Sequence, residues 1–150
     1  MNNIQLEVIN QSLIDKTRYM PSNVYLDYSK KYPKAGLGVF AKEVIKQGSF
    51  LGNYVGEICD KNHKGPYVFT VIVNGEQIKI DSIDINKSNY TRYMNCALNP
   101  QDENVIVIRC ENEGFMNGKL CFFAKKNIPI DEELCFDYGE EYKARLLKLQ

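Results

Sequence analysis

The side chains best able to do chemistry in this sequence are aromatic ones gathered at a turn. In LCFDYGEEY, residues 134–142, Phe136, Tyr138 and Tyr142 fall on even positions, broken by Asp137 and Gly139. On a strand the even positions share one face, but Gly139 ends a strand more readily than it continues one. Taken alone, the stretch reads as a strand edge whose aromatics cap a core. Other reactive groups are sparse. The five cysteines, Cys59, Cys96, Cys110, Cys121 and Cys135, are scattered and form no CxxC knuckle, and His63 is the only histidine. That pattern predicts buried free thiols rather than a disulfide scaffold or a structural zinc site, so no metal is expected. A Cys–His catalytic pair is disfavoured, because His63 precedes the loop-like Gly65-Pro66-Tyr67. No GxxxxGK phosphate loop occurs.

The elements that must position these side chains are mostly strands. The 150 residues suit one domain with a real core. VYLDYS (24–29) alternates, and residues 36–58 read as short strands punctuated by glycines. YVFTVIVNGEQIKI (67–80) holds Asn74-Gly75 between two β-rich runs, the preferred chemistry of a type I′ hairpin. VIVIRC (105–110) and KLCFFAKK (119–126) flank a polar loop and form a second hairpin. IPIDEEL (128–134) is a turn before the closing strand. Helix signals are few: Ser88 is placed to cap a short turn through SNYTRYMN, and EYKARLLKLQ is amphipathic. Lys30, Lys31 and Lys34 form a basic cluster expected to be a solvated loop. The pattern predicts a mostly β fold of many short strands with little helix.

Bulk properties narrow the function. Nineteen basic residues balance nineteen acidic ones, which argues against a dedicated nucleic-acid binder. No run reaches the length of a membrane span, and MNNIQLEVINQ lacks the regions of a signal peptide. A soluble, intracellular protein with no membrane partner is expected.

Three ordered blocks carry a resemblance. The first is AGLGVFA (35–41), followed by NYVGEI (53–58). The second is NYTRYMNCALNPQDEN (89–104). The third is ELCFDYGEEY (133–142). In this order and spacing they resemble a SET domain, the fold of most protein-lysine methyltransferases, and RYMNCA resembles the PR branch of that family. The resemblance implies a minimal, viral-like form: residues 1–34 as an N-terminal flank packed on the domain, 35–142 as the SET domain, and 143–150 as a tail closing the site. It also implies a fold of small curved sheets with a C-terminal pseudoknot. The family's flanking zinc-binding cysteines are missing.

The resemblance further implies an S-adenosyl-L-methionine-dependent protein-lysine N-methyltransferase acting on a histone tail, with di- or trimethyllysine as product. The alternative is a catalytically weak PR-type protein-binding module. Tyr138 would be the catalytic tyrosine and Tyr54 a second one; with Phe136 they would line the substrate lysine channel. Phe136 would set how many methyls are added. The cofactor would be held by Ala35, Gly36, Leu37, Gly38, Tyr67, Arg92, Asn95, Cys96 and Tyr142, with Cys96 where the commoner pattern has histidine. Such a channel makes physical sense. A free lysine has a pKa of about 10.4, and an apolar channel favours the neutral, nucleophilic amine by desolvation. Holding nucleophile, methyl and sulfur in line contributes several kcal/mol. An acidic rim from Asp102, Glu103, Asp131, Glu132, Glu133, Glu140 and Glu141 would attract a basic tail. The expected partners are thus a histone tail and no nucleic acid, with a homodimer as one way to close the substrate groove. The expected location is the nucleus (a host's, for a viral source) or the cytoplasm.

Overall fold

The computed structural model describes residues 20–73, 75–109 and 120–139. Three small antiparallel or mixed sheets surround one core, as the pattern of short strands predicts. Strand β1 (Val24–Tyr28) pairs antiparallel with β2 (Leu37–Ala41), from Val24 opposite Ala41 to Tyr28 opposite Leu37. Its alternation drives Val24 and Leu26 inward and leaves Tyr25 outside, stacked on Phe40 with centroids 5.5 Å apart. β2 is almost wholly buried, because it is covered on both faces and lies next to the site described below.

The second sheet joins β3 (Phe50–Asn53), β9 (Leu120–Ala124), β8 (Val105–Arg109), β10 (Cys135–Phe136) and β7 (Asn95–Cys96), in that spatial order. β8 and β9 form the second hairpin expected from sequence, running antiparallel from Val105 opposite Ala124 to Arg109 opposite Leu120. The third sheet places β6 (Glu76–Asp81) between β4 (Glu57–Cys59) and β5 (Val68–Val73). Val73 pairs with Glu76, so the β5–β6 connection is two residues long, and Gly75 has φ +79°. A positive φ here is what a type I′ hairpin requires; Asn74 lies outside the described residues. Gly56, just before β4, is set by close approach: a Cβ there would lie 2.3 Å from the Asp81 carbonyl oxygen.

The closing strand differs from expectation. β10 runs parallel to β7 and β8, with Phe136 opposite both Cys96 and Val105. The chain after FDYG, which the expected pseudoknot requires, lies outside the described residues. The strand stops at Phe136, so Tyr138 does not continue it. The Gly139 amide donates to Asp137 Oδ1 (2.7 Å) and Gly139 takes φ +106°, which turns the chain away. The Phe136 and Tyr138 rings still meet, 4.6 Å apart.

The short turn through the second motif is a 3₁₀ turn, Tyr90–Tyr93. Its cap is Asn89, not Ser88: Asn89 Oδ1 accepts from the Thr91 amide (3.0 Å) while its Nδ2 donates to the Asn53 carbonyl (2.9 Å). The amide group accepts on oxygen and donates from nitrogen, so Asn89 both caps the turn and ties it to β3. Ser88 ends the preceding 3₁₀ turn, Ile85–Lys87. Cys96, Cys121 and Cys135 are buried, Cys59 is partly exposed, and none of the four is in a disulfide. Cys110, the loop between β8 and β9, and EYKARLLKLQ lie outside the described residues, as does most of the N-terminal flank. No helix among the described residues is long and apolar enough to cross a membrane.

Candidate functional site

A cavity of about 390 Å³ opens where the three motif blocks meet. That volume falls within the range of small-molecule sites, roughly 300–1,000 Å³. One part of its wall is aromatic. Phe69, on β5, centres the group: its ring lies 4.7 Å from Tyr54, 5.7 Å from Phe136 and 5.6 Å from Tyr138. Phe136 is 1% exposed and also meets Phe122 edge-on at 4.9 Å, so the wall is backed by the core.

Two hydroxyls project from this wall, and each has its proton committed. Tyr54 donates to the Tyr67 carbonyl (2.6 Å) and Tyr138 donates to the Met94 carbonyl. A phenol has one proton and two lone pairs. What either can offer a guest is therefore an acceptor. Burial holds the Tyr54 phenol above its ordinary 10.0, against smaller opposing pulls from a hydrogen bond with Ser82 and from Arg92, so Tyr54 stays protonated through the neutral range and is not a phenolate base.

Arg92 forms another side of the cavity. Its guanidinium carbon stands 4.2 Å from the Tyr67 ring centroid and 4.7 Å from that of Tyr93. Nε and Nη2 donate to the carbonyls of Ser82 (2.8 Å) and Ile83 (3.3 Å). Arg92 is thus a brace between the RYMN turn and the end of β6, not a loose surface charge. Asn95 and Cys96, on β7, complete the wall with Ala35 and Leu37. Asn95 Nδ2 donates to the Leu37 carbonyl (3.1 Å) and to Glu133 Oε2 (2.7 Å).

Most of the candidate site residues therefore share one cavity: Tyr54, Phe136 and Tyr138 on the aromatic side, and Ala35, Leu37, Tyr67, Arg92, Asn95 and Cys96 around the rest. The two glycines do not line it. Gly36 is exposed and closes the 3₁₀ turn Pro33–Ala35 through its amide to the Pro33 carbonyl (3.4 Å). Gly38 is buried, and a Cβ on it would sit 2.4 Å from Glu133 Oε2. Its lack of a side chain makes room for that carboxylate. Tyr142 lies outside the described residues.

Several site residues escaped the sequence reading. Glu133 was expected in an acidic rim but is 4% exposed, with Ser29 Oγ donating to its Oε1 (2.6 Å) and Asn95 to its Oε2. Of the other expected rim acids, Glu140 and Glu141 lie outside the described residues. Asp102 accepts from Tyr32 (3.0 Å) and pairs with Lys31 (3.2 Å), Glu103 pairs with Lys125 (3.4 Å), and Asp131 accepts from Tyr25 (2.8 Å). The basic cluster is likewise not simply solvated: Lys31 has Asp102, and Lys34 lines the cavity. Tyr32, buried, receives the Leu98 amide on its hydroxyl (3.2 Å) and forms more of the wall. Phe69 was legible as a strand residue but not as the hub of the aromatics. His63 has Asp81 as its partner (2.7 Å), not a cysteine.

Residues 26–149 match the family model of the PR domain of PR domain zinc finger protein 2. The chain belongs to the PR/SET-domain family. Among relatives, it is 32% identical over 115 residues to the histone-lysine N-methyltransferase set-17 of Caenorhabditis elegans, spanning 75% of this chain and 39% of that protein. Among solved structures, the methyltransferase domain of human PR domain-containing protein 2 superposes with a TM-score of 0.72 at 26% identity, covering 91% of this chain and 88% of that one. A structure of ctPRC2 in an autoinhibited conformation bound to S-adenosylmethionine superposes with a TM-score of 0.62 at 27% identity, covering 86% of this chain and 17% of that one. The PR/SET domain described here is mostly strand with little helix, as those folds are.

Proposed function

We propose that this PR/SET domain is an S-adenosyl-L-methionine-dependent protein-lysine N-methyltransferase that acts on a histone tail and adds two or three methyl groups. One observation carries the reading: two tyrosine hydroxyls, each with its proton given to a backbone carbonyl, border a single aromatic cavity with the amide of Asn95. The cavity suits the donor in size and lining, since aromatic faces pack the adenine and apolar chain while Asn95 supplies polar contact. When bound, the donor supplies an electrophilic methyl on a sulfonium.

The chain's own residues do the rest. The oxygens of Tyr54 and Tyr138 accept N–H bonds from the lysine amine and so aim its lone pair. Phe69 and Phe136 pack the aliphatic stem and exclude water, which disfavours the ammonium form. Phe136 has no hydroxyl to restrict a methylated amine, so a further transfer remains open. Tyr67, braced by Arg92, shapes the donor side. A histone substrate is supported by the similarity to a histone-lysine methyltransferase, and it would place the protein in the nucleus.

The test is incubation with labelled S-adenosylmethionine and core histones, with label located by mass spectrometry. Label on lysine, lost in Tyr138→Phe, supports the proposal. Thermal stabilisation by millimolar donor without any label would instead identify a binding module. No stabilisation and no label would remove both readings, because a ligand in excess of its dissociation constant must stabilise the fold it binds.

A further inference from the structure

We infer that Glu133 is a positioning residue that fixes the Asn95 side chain so that its carbonyl oxygen faces the cavity and makes the site selective for a ligand with a positively charged end. The inference rests on the donor-binding reading above. An asparagine amide carries two N–H donors on nitrogen and one acceptor oxygen. Both acceptors that reach Asn95 Nδ2, the Leu37 carbonyl at 3.1 Å and Glu133 Oε2 at 2.7 Å, require the nitrogen on that side. The polar atom left for the cavity is Oδ1. Turned the other way, the amide would set its acceptor against two acceptors and show a cation two N–H groups.

Glu133 can do this because it is held. Ser29 Oγ donates to Oε1 at 2.6 Å, and the same hydroxyl oxygen accepts the Tyr32 amide at 2.9 Å. The Ser29 amide in turn donates to the Gly36 carbonyl at 2.8 Å. The end of β1 and the turn before β2 therefore clamp one carboxylate oxygen and leave the other to Asn95. Gly38 leaves the space.

Charge points the same way. Glu133 is buried and forms no ion pair among the described residues. Its Oε2 accepts from Asn95, which lines the cavity together with Lys34 and Arg92. A cation there would interact favourably with both Oδ1 and the carboxylate behind it. The donor's positive end, ammonium or methylsulfonium, is the ligand chemistry this arrangement takes.

The experiment compares wild type with Glu133→Gln. Glutamine removes the charge and presents an N–H₂ in place of one acceptor oxygen: turned to Asn95 it sets donor against donor, and turned to Ser29 it forces the Oγ proton away from its present contact. Calorimetry with S-adenosylmethionine should show about tenfold weaker binding, the size of one lost hydrogen bond to a charged group. Turnover at saturating donor should change far less than the donor KM, since the residue acts on binding. The Asn95 side-chain ¹⁵N resonances should lose their exchange protection. Donor affinity within about twofold of wild type, with those resonances unmoved, would overturn the inference. If Glu133→Gln does not fold, Gly38→Ala tests the same contact by pushing a Cβ into Oε2, and unchanged donor affinity there overturns it. If wild type binds no donor at all, the proposed function falls on its own. The Asn95 resonances then decide this inference alone, supporting it if Glu133→Gln shifts them and refuting it if not.

Discussion

Replacing Tyr138 by phenylalanine removes one oxygen and one hydrogen bond, and the structure sets what each should do. The hydroxyl donates to the carbonyl of Met94, a residue 1% exposed in the middle of RYMN. Taking the donor away from a buried carbonyl costs about 1–3 kcal/mol. For a domain of this size each kcal/mol lowers the melting temperature by roughly 2–4 °C, so a fall of about 2–12 °C is expected. The ring itself should stay, because Phe69 and Phe136 hold it at 5.6 and 4.6 Å. Activity should fall much further than stability. Without the oxygen the amine loses one of two acceptors that aim its lone pair, and misorientation of a displacement can cost on the order of a hundredfold. The assay is mass spectrometry of a histone peptide under saturating donor, at a temperature well below the variant's own melting point measured by circular dichroism. A variant that melts lower but transfers methyl at the wild-type rate would refute the reasoning. It would make the Tyr138 hydroxyl a strut for the Met94 carbonyl and nothing more.

Other perturbations have outcomes that follow from single contacts. Phe136→Tyr should shift an exhaustively methylated peptide toward monomethyllysine, since one new hydrogen bond worth about 1 kcal/mol changes the product ratio several-fold; an unchanged product ladder by mass spectrometry would make Phe136 a core residue only. Gly56→Ala should cost about 1–3 kcal/mol in urea unfolding, because backbone rather than a flexible side chain meets the new methyl; an unchanged midpoint would refute the close approach to Asp81. Burial alone would raise the Asp102 pKa, but hydrogen bonds from Lys31 and Tyr32 outweigh it and hold the carboxyl below its ordinary 3.8. The folded state then binds fewer protons, so the stability gap between wild type and Asp102→Asn should be full above about pH 4 and vanish as pH falls below it. A gap that widens on acidification in urea titrations would show the sign to be wrong.

How much was legible in sequence depended on whether the signal was local. The β5–β6 hairpin was written in Asn74-Gly75, because a two-residue turn has its own chemistry. The β1 alternation and the β8–β9 hairpin were similarly plain. The ordered motifs brought Tyr54, Asn95 and Phe136 to one cavity although they lie far apart in the chain. What failed was the assignment of charged and small residues, whose roles depend on distant partners. Glu133 follows two other acids in IPIDEEL and reads as part of an acidic rim; only the fold brings Ser29 and Asn95 to it. Gly38 reads as part of a glycine loop, and only the fold shows that it also makes room for that carboxylate. Tyr138 shared parity with Phe136 but not a strand, because Asp137 and Gly139 turn the chain between them and the next segment.

The polar character of the cavity follows from where protons are committed. Tyr54 and Tyr138 each give their one proton to a backbone carbonyl, and the amide nitrogen of Asn95 gives its two to Leu37 and Glu133. Each commitment also fixes the element it reaches: the start of β5, the RYMN turn, β2 and the approach to β10. The same bonds that hold the sheets together therefore strip the aromatic cavity of these three sets of donors and leave acceptors facing inward. Arg92 directs Nε and Nη2 to the carbonyls of Ser82 and Ile83, and its guanidinium carbon lies near the Tyr67 and Tyr93 rings. Where Tyr54, Tyr138 and Asn95 border the cavity their remaining polar capacity is for accepting, which favours a guest that brings N–H groups to that part of a wall that Lys34 and Arg92 also line. A neutral amine is such a guest, and Tyr138, Tyr54 and Asn95 are the positions where a donor-for-acceptor exchange would cost most.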